Sequence, residues 1–422
     1  MTKTPKSLRL QIGLFGRTNV GKSSVLNTIA GQQVSITSDL PGTTTDVVEK
    51  SMELLPVGPV VFLDTAGIDD SSDLAGKRLE KTRLIYRRAE IGVLVTEAGV
   101  WGPYEREVAR CCSEAEIPLL CIVNKVDRKK PEKRWLEGLL DEGADEVIAF
   151  CSVDPASRDH YINDFKKSLI ALVPDDYLMP PPLVGDLLPP GGHLMLIVPI
   201  DIEAPKGRII LPQVQTIRDA LDADTIVTVV KENQYASALA GLRKMPDLVV
   251  CDSQVVDLMV RETPEEVSCT TFSTLFSRFK GDLGSQVEGV LALDSIGRGD
   301  RVLISESCSH HAMDDDIGRV KIPRWLTEYL GFSPQIDVVS GRDYPENLAD
   351  YSIIIHCGAC MLTRREMLVR IRLAAAAGVA VTNYGIAISQ MRGTLGRIIG
   401  PFEELGPIAE KINEQDKRRA AV

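Results

Sequence analysis

Three cysteines and two histidines of this 422-residue chain fall at spacings that metals use: Cys308 and His310, then His356-Cys357-Gly358-Ala359-Cys360. In a C-x-x-C pair the short spacer turns back on itself, so both thiolates reach one metal centre, and Gly358 is the residue expected to permit the turn. Cys308 would close the site from a distant loop. Three cysteines with a replaceable fourth ligand suit an iron–sulfur cluster with one open iron. The same residue types suit zinc held by three cysteines and a histidine. His310 and His356 are the candidates for the fourth position, and His311 reads as a neighbour.

A second site lies at the other end of the chain. Gly16-Arg17-Thr18-Asn19-Val20-Gly21-Lys22-Ser23-Ser24 follows an apolar run, Leu8–Phe15, and matches the phosphate-binding loop in full. Its glycines let backbone N–H groups wrap phosphates, Lys22 neutralises the terminal phosphates, and Ser23 reaches magnesium. Asp64-Thr65-Ala66-Gly67 follows the apolar run Val60–Leu63, where an acidic residue faces magnesium. Pro41-Gly42-Thr43-Thr44-Thr45-Asp46 reads as a switch loop, with Thr44 as a further magnesium ligand. Lys22, Thr44, Asp64 and Gly67 are thus the candidates for carrying hydrolysis. Asn124-Lys125-Val126-Asp127 follows Pro118–Val123, and the Asp127 carboxylate can accept the paired N–H donors of a guanine edge, which adenine lacks. Ser152 is the candidate from the loop that closes over the base. Residue 68 is Ile, where Ras-like proteins place a water-orienting Gln, so slow intrinsic turnover is expected.

The elements that must position these groups follow from alternation of strand and helix patterns. Leu194–Ile200, Thr225–Val230 and Leu248–Cys251 read as strands separated by helices over Leu211–Leu221 and Gln234–Leu242. Farther on, Arg301–Ser305 and Tyr351–Ile355 read as strands that run directly into the two cysteine groups, and Val379–Thr382 as a third. Open parallel sheets place their sites at such strand ends. The expected fold class is therefore α/β: an N-terminal P-loop GTPase domain followed by two further α/β domains with small parallel sheets. The proline clusters Pro180–Pro182 and Pro189–Pro190 mark a linker. The expected domains are 1–174, 175–262 and 263–422, the middle one serving as a subunit interface. Asp201, Glu203, Lys206 and Arg208 read as a solvated loop.

A net charge of −11 argues against nucleic acid as the main partner. No apolar run reaches membrane-spanning length. Nine cysteines without a leader-like start imply reduced thiols and a cytoplasmic protein. Cys111, Cys112, Cys121, Cys151, Cys251 and Cys269 lack metal spacing and read as packing residues, with His160 on the surface.

In its order and spacing of motifs, the first domain resembles the translation-factor-type GTPases. Asn19 and the Gly-Thr-Thr switch resemble the potassium-activated members related to a tRNA-modification enzyme, which implies potassium at Asn19. With the C-x-H and H-C-x-x-C groups, and the wording Cys360-Met361-Leu362-Thr363-Arg364-Arg365-Glu366 and Thr382-Asn383-Tyr384-Gly385, nearly the entire chain resembles the FeFe-hydrogenase maturation GTPases. That resemblance implies a 4Fe–4S cluster on Cys308, Cys357 and Cys360 and a homodimer built through the middle domain. It also implies a scaffold that takes up a di-iron precursor made with radical-SAM maturases and delivers it to apo FeFe-hydrogenase. The competing reading is an RNA-modification or ribosome-assembly GTPase with a zinc-stabilised C-terminal domain.

Overall fold

The computed structural model describes residues 5–30, 48–64, 75–154, 156–199, 209–307, 316–341 and 344–420. Thr44, Gly67, Ile68, Asp201, Glu203, Lys206, Arg208, Cys308, His310 and His311 lie outside the described residues. The chain forms two compact units, Met1–Pro180 and Pro181–Val422.

In the first unit the strands are β1 (Leu10–Phe15), β2 (Val48–Leu54), β3 (Gly58–Asp64), β4 (Ile91–Glu97), β5 (Leu119–Asn124) and β6 (Glu146–Ala149). They form one sheet in the order β2-β3-β1-β4-β5-β6, parallel except for the β2–β3 pair. β1 and β5 are buried along their whole length, as strands covered on both faces must be. This is why the sequence shows them as unbroken apolar runs. β2 instead alternates, and its polar residues hid it from the sequence reading.

The second unit carries two four-stranded, all-parallel sheets. The first holds β7 (His193–Ile197), β8 (Ile226–Val230), β9 (Leu248–Cys251) and β10 (Ser268–Thr271), in the order β10-β9-β7-β8. The second holds β11 (Arg301–Ser305), β12 (Gln335–Val339), β13 (Ile353–His356) and β14 (Ala380–Asn383), in the order β12-β11-β13-β14. The expected helix over 211–221 runs Leu211–Asp222, and that over 234–242 contracts to Tyr235–Ala240 after a short 3-10 turn. β10 lies beyond residue 262 yet pairs with β9, so the first of these sheets extends past the expected domain boundary. One continuous apolar core, from Leu183 to Ile412, serves both sheets. Joint packing therefore binds what the sequence reading divided into two domains.

The start of the second unit is fixed by one carboxylate. Asp219 Oδ2 accepts the backbone N–H of Leu183, Val184 and Gly185 at 3.1, 2.7 and 2.8 Å. Asp219→Ala should strand these donors and lower stability by about 1–3 kcal/mol. Urea denaturation of the full chain, compared with the parent protein, measures this directly.

Candidate functional site

In the first unit, β1 and β4 meet where the strand order reverses, and the phosphate loop leaves the carboxyl end of β1 at that point. The helix Lys22–Ala30 starts directly after it and turns its N-terminus to the loop. Three loop residues have positive φ: Gly16 at 143°, Asn19 at 65° and Gly21 at 97°. A Cβ on Gly16 would sit 2.5 Å from the Val95 carbonyl oxygen, and one on Gly21 would collide with the Asn124 side chain. Both glycines are therefore required by close approach as well as by dihedral angle.

The loop encloses a pocket of about 440 Å³. Its walls include Asn19, Gly21, Lys22, Ser23 and Ser24 on the phosphate side, and Lys125, Asp127 and Ser152 on the side expected to take guanine. The structure thus brings these motif residues to one cavity. Lys22 is buried and donates to the carbonyls of Gly16 at 2.6 Å and Arg17 at 3.0 Å. Asn124 has no exposed surface. Its Nδ2 donates to the Val20 carbonyl at 2.9 Å and its Oδ1 accepts the Ser152 N–H at 3.3 Å, so it braces the two sides of the pocket. Val20 is buried and contributes its carbonyl to that brace. Lys125 donates to the Asn19 carbonyl at 2.5 Å and pairs with Glu97 at 2.6 Å. Asp127 is exposed to the pocket and accepts the Cys151 thiol at 3.2 Å.

Sequence reasoning missed three supports of this site. The Gly16 N–H donates to the Tyr104 hydroxyl at 3.1 Å. Arg17 forms a two-pronged bond with Glu105, 2.7 Å on each arm, and Glu105 also accepts the Gly102 N–H at 2.9 Å. Burial pushes the Glu105 pKa up, but the Arg17 and backbone hydrogen bonds outweigh it and hold it below its usual value of 4.5. Asp64, buried, meets the Lys50 ammonium of β2 at 2.8 Å. No motif announced these partners, because each arrives from a distant element.

The second candidate site lies in the second unit. β11 and β13 are parallel neighbours, with Ser305 opposite His356, and the strand order reverses between them. Cys357 and Cys360 therefore sit at a topological switch point, where open sheets form crevices. The Ser307 N–H and hydroxyl approach Cys357 Sγ at 3.1 and 3.0 Å, which shows that the chain leading toward Cys308 runs beside Cys357. Burial raises the Cys360 thiol pKa, with Cys357 adding to the rise and Lys280 opposing it.

Two expectations change here. The left-handed residue of the C-x-x-C turn is Ala359, at φ 52°, whereas Gly358 has no positive φ and open space around it. The turn is imposed by surrounding bonds and does not depend on glycine. His356 is wholly buried, and both ring nitrogens are engaged: Nδ1 with the Cys357 carbonyl at 2.9 Å and Nε2 with Arg370 at 2.9 Å. Burial, followed by the Arg370 charge, lowers its pKa to about 3. A neutral ring donating from Nδ1 and accepting at Nε2 has no lone pair left for a metal, so His356 is a brace and not a fourth ligand in this arrangement.

Two soft sulfur donors, on a turn whose carbonyls hold the buried Lys280 ammonium, fit an anionic thiolate–metal centre. Among the described residues no group of three His, Cys, Asp or Glu side chains forms a metal site. Cys112, Cys121, Cys151, Cys251 and Cys269 are buried. Cys111 lies on a helix surface beside Glu107, and His160 is exposed and pairs with Asp164 at 3.3 Å.

Residues 285–401 match the model of the Hydrogen maturase F tetramerization domain, and residues 183–281 that of the Hydrogen maturase F dimerization domain. The chain belongs to the hydrogen maturase F family. Residues 11–125 match the 50S ribosome-binding GTPase model, so the first unit contains a GTPase domain. Among curated proteins, a tRNA modification GTPase MnmE from a Synechococcus species is 39% identical over 127 residues, which covers 29% of this chain and 27% of that protein. GTPase Der from Campylobacter hominis is 32% identical over 165 residues, covering 39% of this chain and 34% of its own length. The chain thus spans about a third or less of these two relatives. Among solved structures, the G domain of the T. maritima FeoB iron transporter has a TM-score of 0.31 and 19% identity, and the match covers 39% of this chain and 99% of that one. No helix among the described residues is long and apolar enough to cross a membrane.

Asn124→Ala should cost about 1–3 kcal/mol, by leaving the Val20 carbonyl and Ser152 N–H unpaired, and should weaken GTP binding as the pocket opens. Denaturation together with a fluorescent-GTP titration reads both effects. The Glu105 carboxylate has a lowered folded pKa, so its stabilisation is present above the unfolded value and is lost as pH falls through the folded one. Glu105→Gln should therefore lose stability at neutral pH and show a flatter decline below pH ~4.5 than the parent. Guanidinium unfolding across the acid range checks the slope.

Proposed function

We propose that this chain binds and hydrolyses GTP and serves hydrogenase maturation as a scaffold for a di-iron precursor bound for apo FeFe-hydrogenase. The observation that carries this reading is a C-x-x-C pair at a sheet switch point inside the hydrogen maturase F tetramerization domain, in one chain with a pocket lined by phosphate-loop and guanine-motif residues. The likeness to the tRNA-modification GTPase covers 29% of this chain.

At the nucleotide pocket, Asp127 would read guanine and Lys125 would hold the Asn19 turn. The ammonium of Lys22 would exchange its two loop carbonyls for phosphate oxygens. Ser23 and Asp64, with Thr44, would hold magnesium, and Asn19 would hold potassium, whose charge would stand in for an arginine finger. Magnesium there must share Asp64 with Lys50. Hydrolysis is slow in this reading and acts as a switch on partner binding: loops that respond to the γ-phosphate change which surface a partner meets, and a partner that prefers one state alters nucleotide affinity in return.

At the second site Cys308, Cys357 and Cys360 would hold a 4Fe–4S cluster, which supplies an iron open to a bridging ligand. Of the two histidines considered for the fourth position, His310 is the one left, since Arg370 and the Cys357 carbonyl occupy His356. The Ser307 N–H and Arg370 orient the cysteine loop and keep the strand ends closed. Self-association through the second unit, as a homodimer at least, radical-SAM maturases as partners, and a cytoplasmic setting with reduced thiols complete the proposal.

Iron, sulfide and zinc analysis of anaerobically purified protein, with EPR of the reduced sample, tests it. About four irons per chain are expected, with the signal lost in Cys357→Ala. One zinc and no iron would sink the scaffold role and leave the GTPase. Lys22→Ala and Asp127→Ala should each weaken GTP binding at least about tenfold while iron content stays at the parent level. Loss of iron in either would contradict separable sites.

A further inference from the structure

The helix Phe272–Lys280 ends against the cysteine loop in an exchange of cations. From the loop side, Arg364 donates to the carbonyls of Arg278, Phe279 and Gly281 at 3.2, 2.9 and 3.1 Å, satisfying the orphan acceptors of the helix end. From the helix side, Lys280 donates to the carbonyls of Ala359, Cys360 and Leu362 at 3.3, 3.3 and 2.7 Å.

Lys280 is 2% exposed. An ammonium has three N–H donors and a neutral amine two, so the three carbonyls around Lys280 call for its charged form. Its three donors all go to carbonyl dipoles, which solvate the charge but do not neutralise it. The Glu366 carboxylate caps the next helix through the Thr363 N–H at 3.2 Å. Negative charge placed at the C-x-x-C turn would therefore stabilise this buried cation. The carbonyls that hold it belong to the C-x-x-C turn itself.

We propose that Lys280 is the counter-cation and positioning residue of the cysteine site, fixing the C-x-x-C turn and stabilising the negative charge of a thiolate-bound cluster. This rests on the cluster reading above. A cluster held by three thiolates is a net anion, and its negative charge grows by one on one-electron reduction. The ammonium therefore favours the reduced form and raises the midpoint potential. Lys280 lies in the segment matched by the dimerization-domain model and Cys357 in that matched by the tetramerization-domain model, so the first domain supplies the charge to the metal loop of the second.

The test uses the full chain, reconstituted anaerobically with ferrous iron and sulfide, and an EPR-monitored dithionite titration. Lys280→Gln keeps hydrogen-bond donors without charge, Lys280→Met removes both, and Lys280→Arg restores charge. Ala359→Gly relaxes the left-handed turn and leaves the charge in place. Gln and Met variants should show a more negative midpoint potential and release iron to a chelator about tenfold faster. Arg should recover the potential, and Ala359→Gly should keep it. A parent-like potential in Lys280→Gln or Lys280→Met would overturn the proposal while leaving the cluster reading intact. Failure of both variants to fold would make Lys280 a folding clasp and overturn it equally. A parent protein that takes up no iron would overturn the cluster reading and this proposal together.

Discussion

Parallel strands leave all their carboxyl ends on one edge of a sheet, and both candidate sites of this chain depend on that constraint. Where the strand order reverses, the loops from two neighbouring strands diverge and leave a crevice between them. β1 and β4 make such a point for the phosphate loop, and β11 and β13 make another for the cysteine turn. Neither site has to be built from long loops alone. Each takes its position from strands that are fully buried and cannot shift register without exposing apolar side chains.

What the sheets place, buried polar groups hold rigid. Asn124, Glu105, Arg370 and Lys280 are all buried, and each spends its donors or acceptors on backbone or side-chain partners of a functional loop. A buried polar group that loses its partner incurs the full desolvation penalty, so such groups fix a loop more sharply than apolar contact can. The Ala359 turn illustrates the point. A left-handed alanine is unfavourable by itself. It persists because Lys280 holds its carbonyl and the Leu362 N–H bonds to the same atom at 3.0 Å. Local sequence preference would have put glycine in that role; tertiary bonds override it.

The legible part of the molecule was what repeats or packs locally. The buried parallel strands stood out as apolar runs, and Leu248–Cys251 and Arg301–Ser305 run as read. The P-loop and guanine motifs converge on one pocket because their chemistry is carried by contiguous residues. Two edge strands, β12 and β10, were not legible: β12 is half exposed, and β10 has the sequence Ser-Cys-Thr-Thr in place of an apolar run. The braces were illegible for a different reason. Lys50 on Asp64, Glu105 on Arg17 and Lys280 on the Cys360 carbonyl join residues 14, 88 and 80 positions apart, and nothing in a local window marks the partner.

The fate of His356 follows from the same logic. Sequence proximity to Cys357 made it a ligand candidate, but a residue that ends a central strand points its ring into the sheet's covered side, where water cannot satisfy it. Arg370 and the Cys357 carbonyl do so instead, and the guanidinium stacks at 4.9 Å over the Tyr344 ring while also donating to Ser305 and Gly341. Freeing the imidazole for iron would strand a buried guanidinium donor and a strand-end carbonyl together, a price well above what one exchangeable ligand returns. A histidine beside a cysteine pair is thus better read as the pin that keeps the pair's backbone in place, and an exchangeable position is better filled from residues that the sheet does not need.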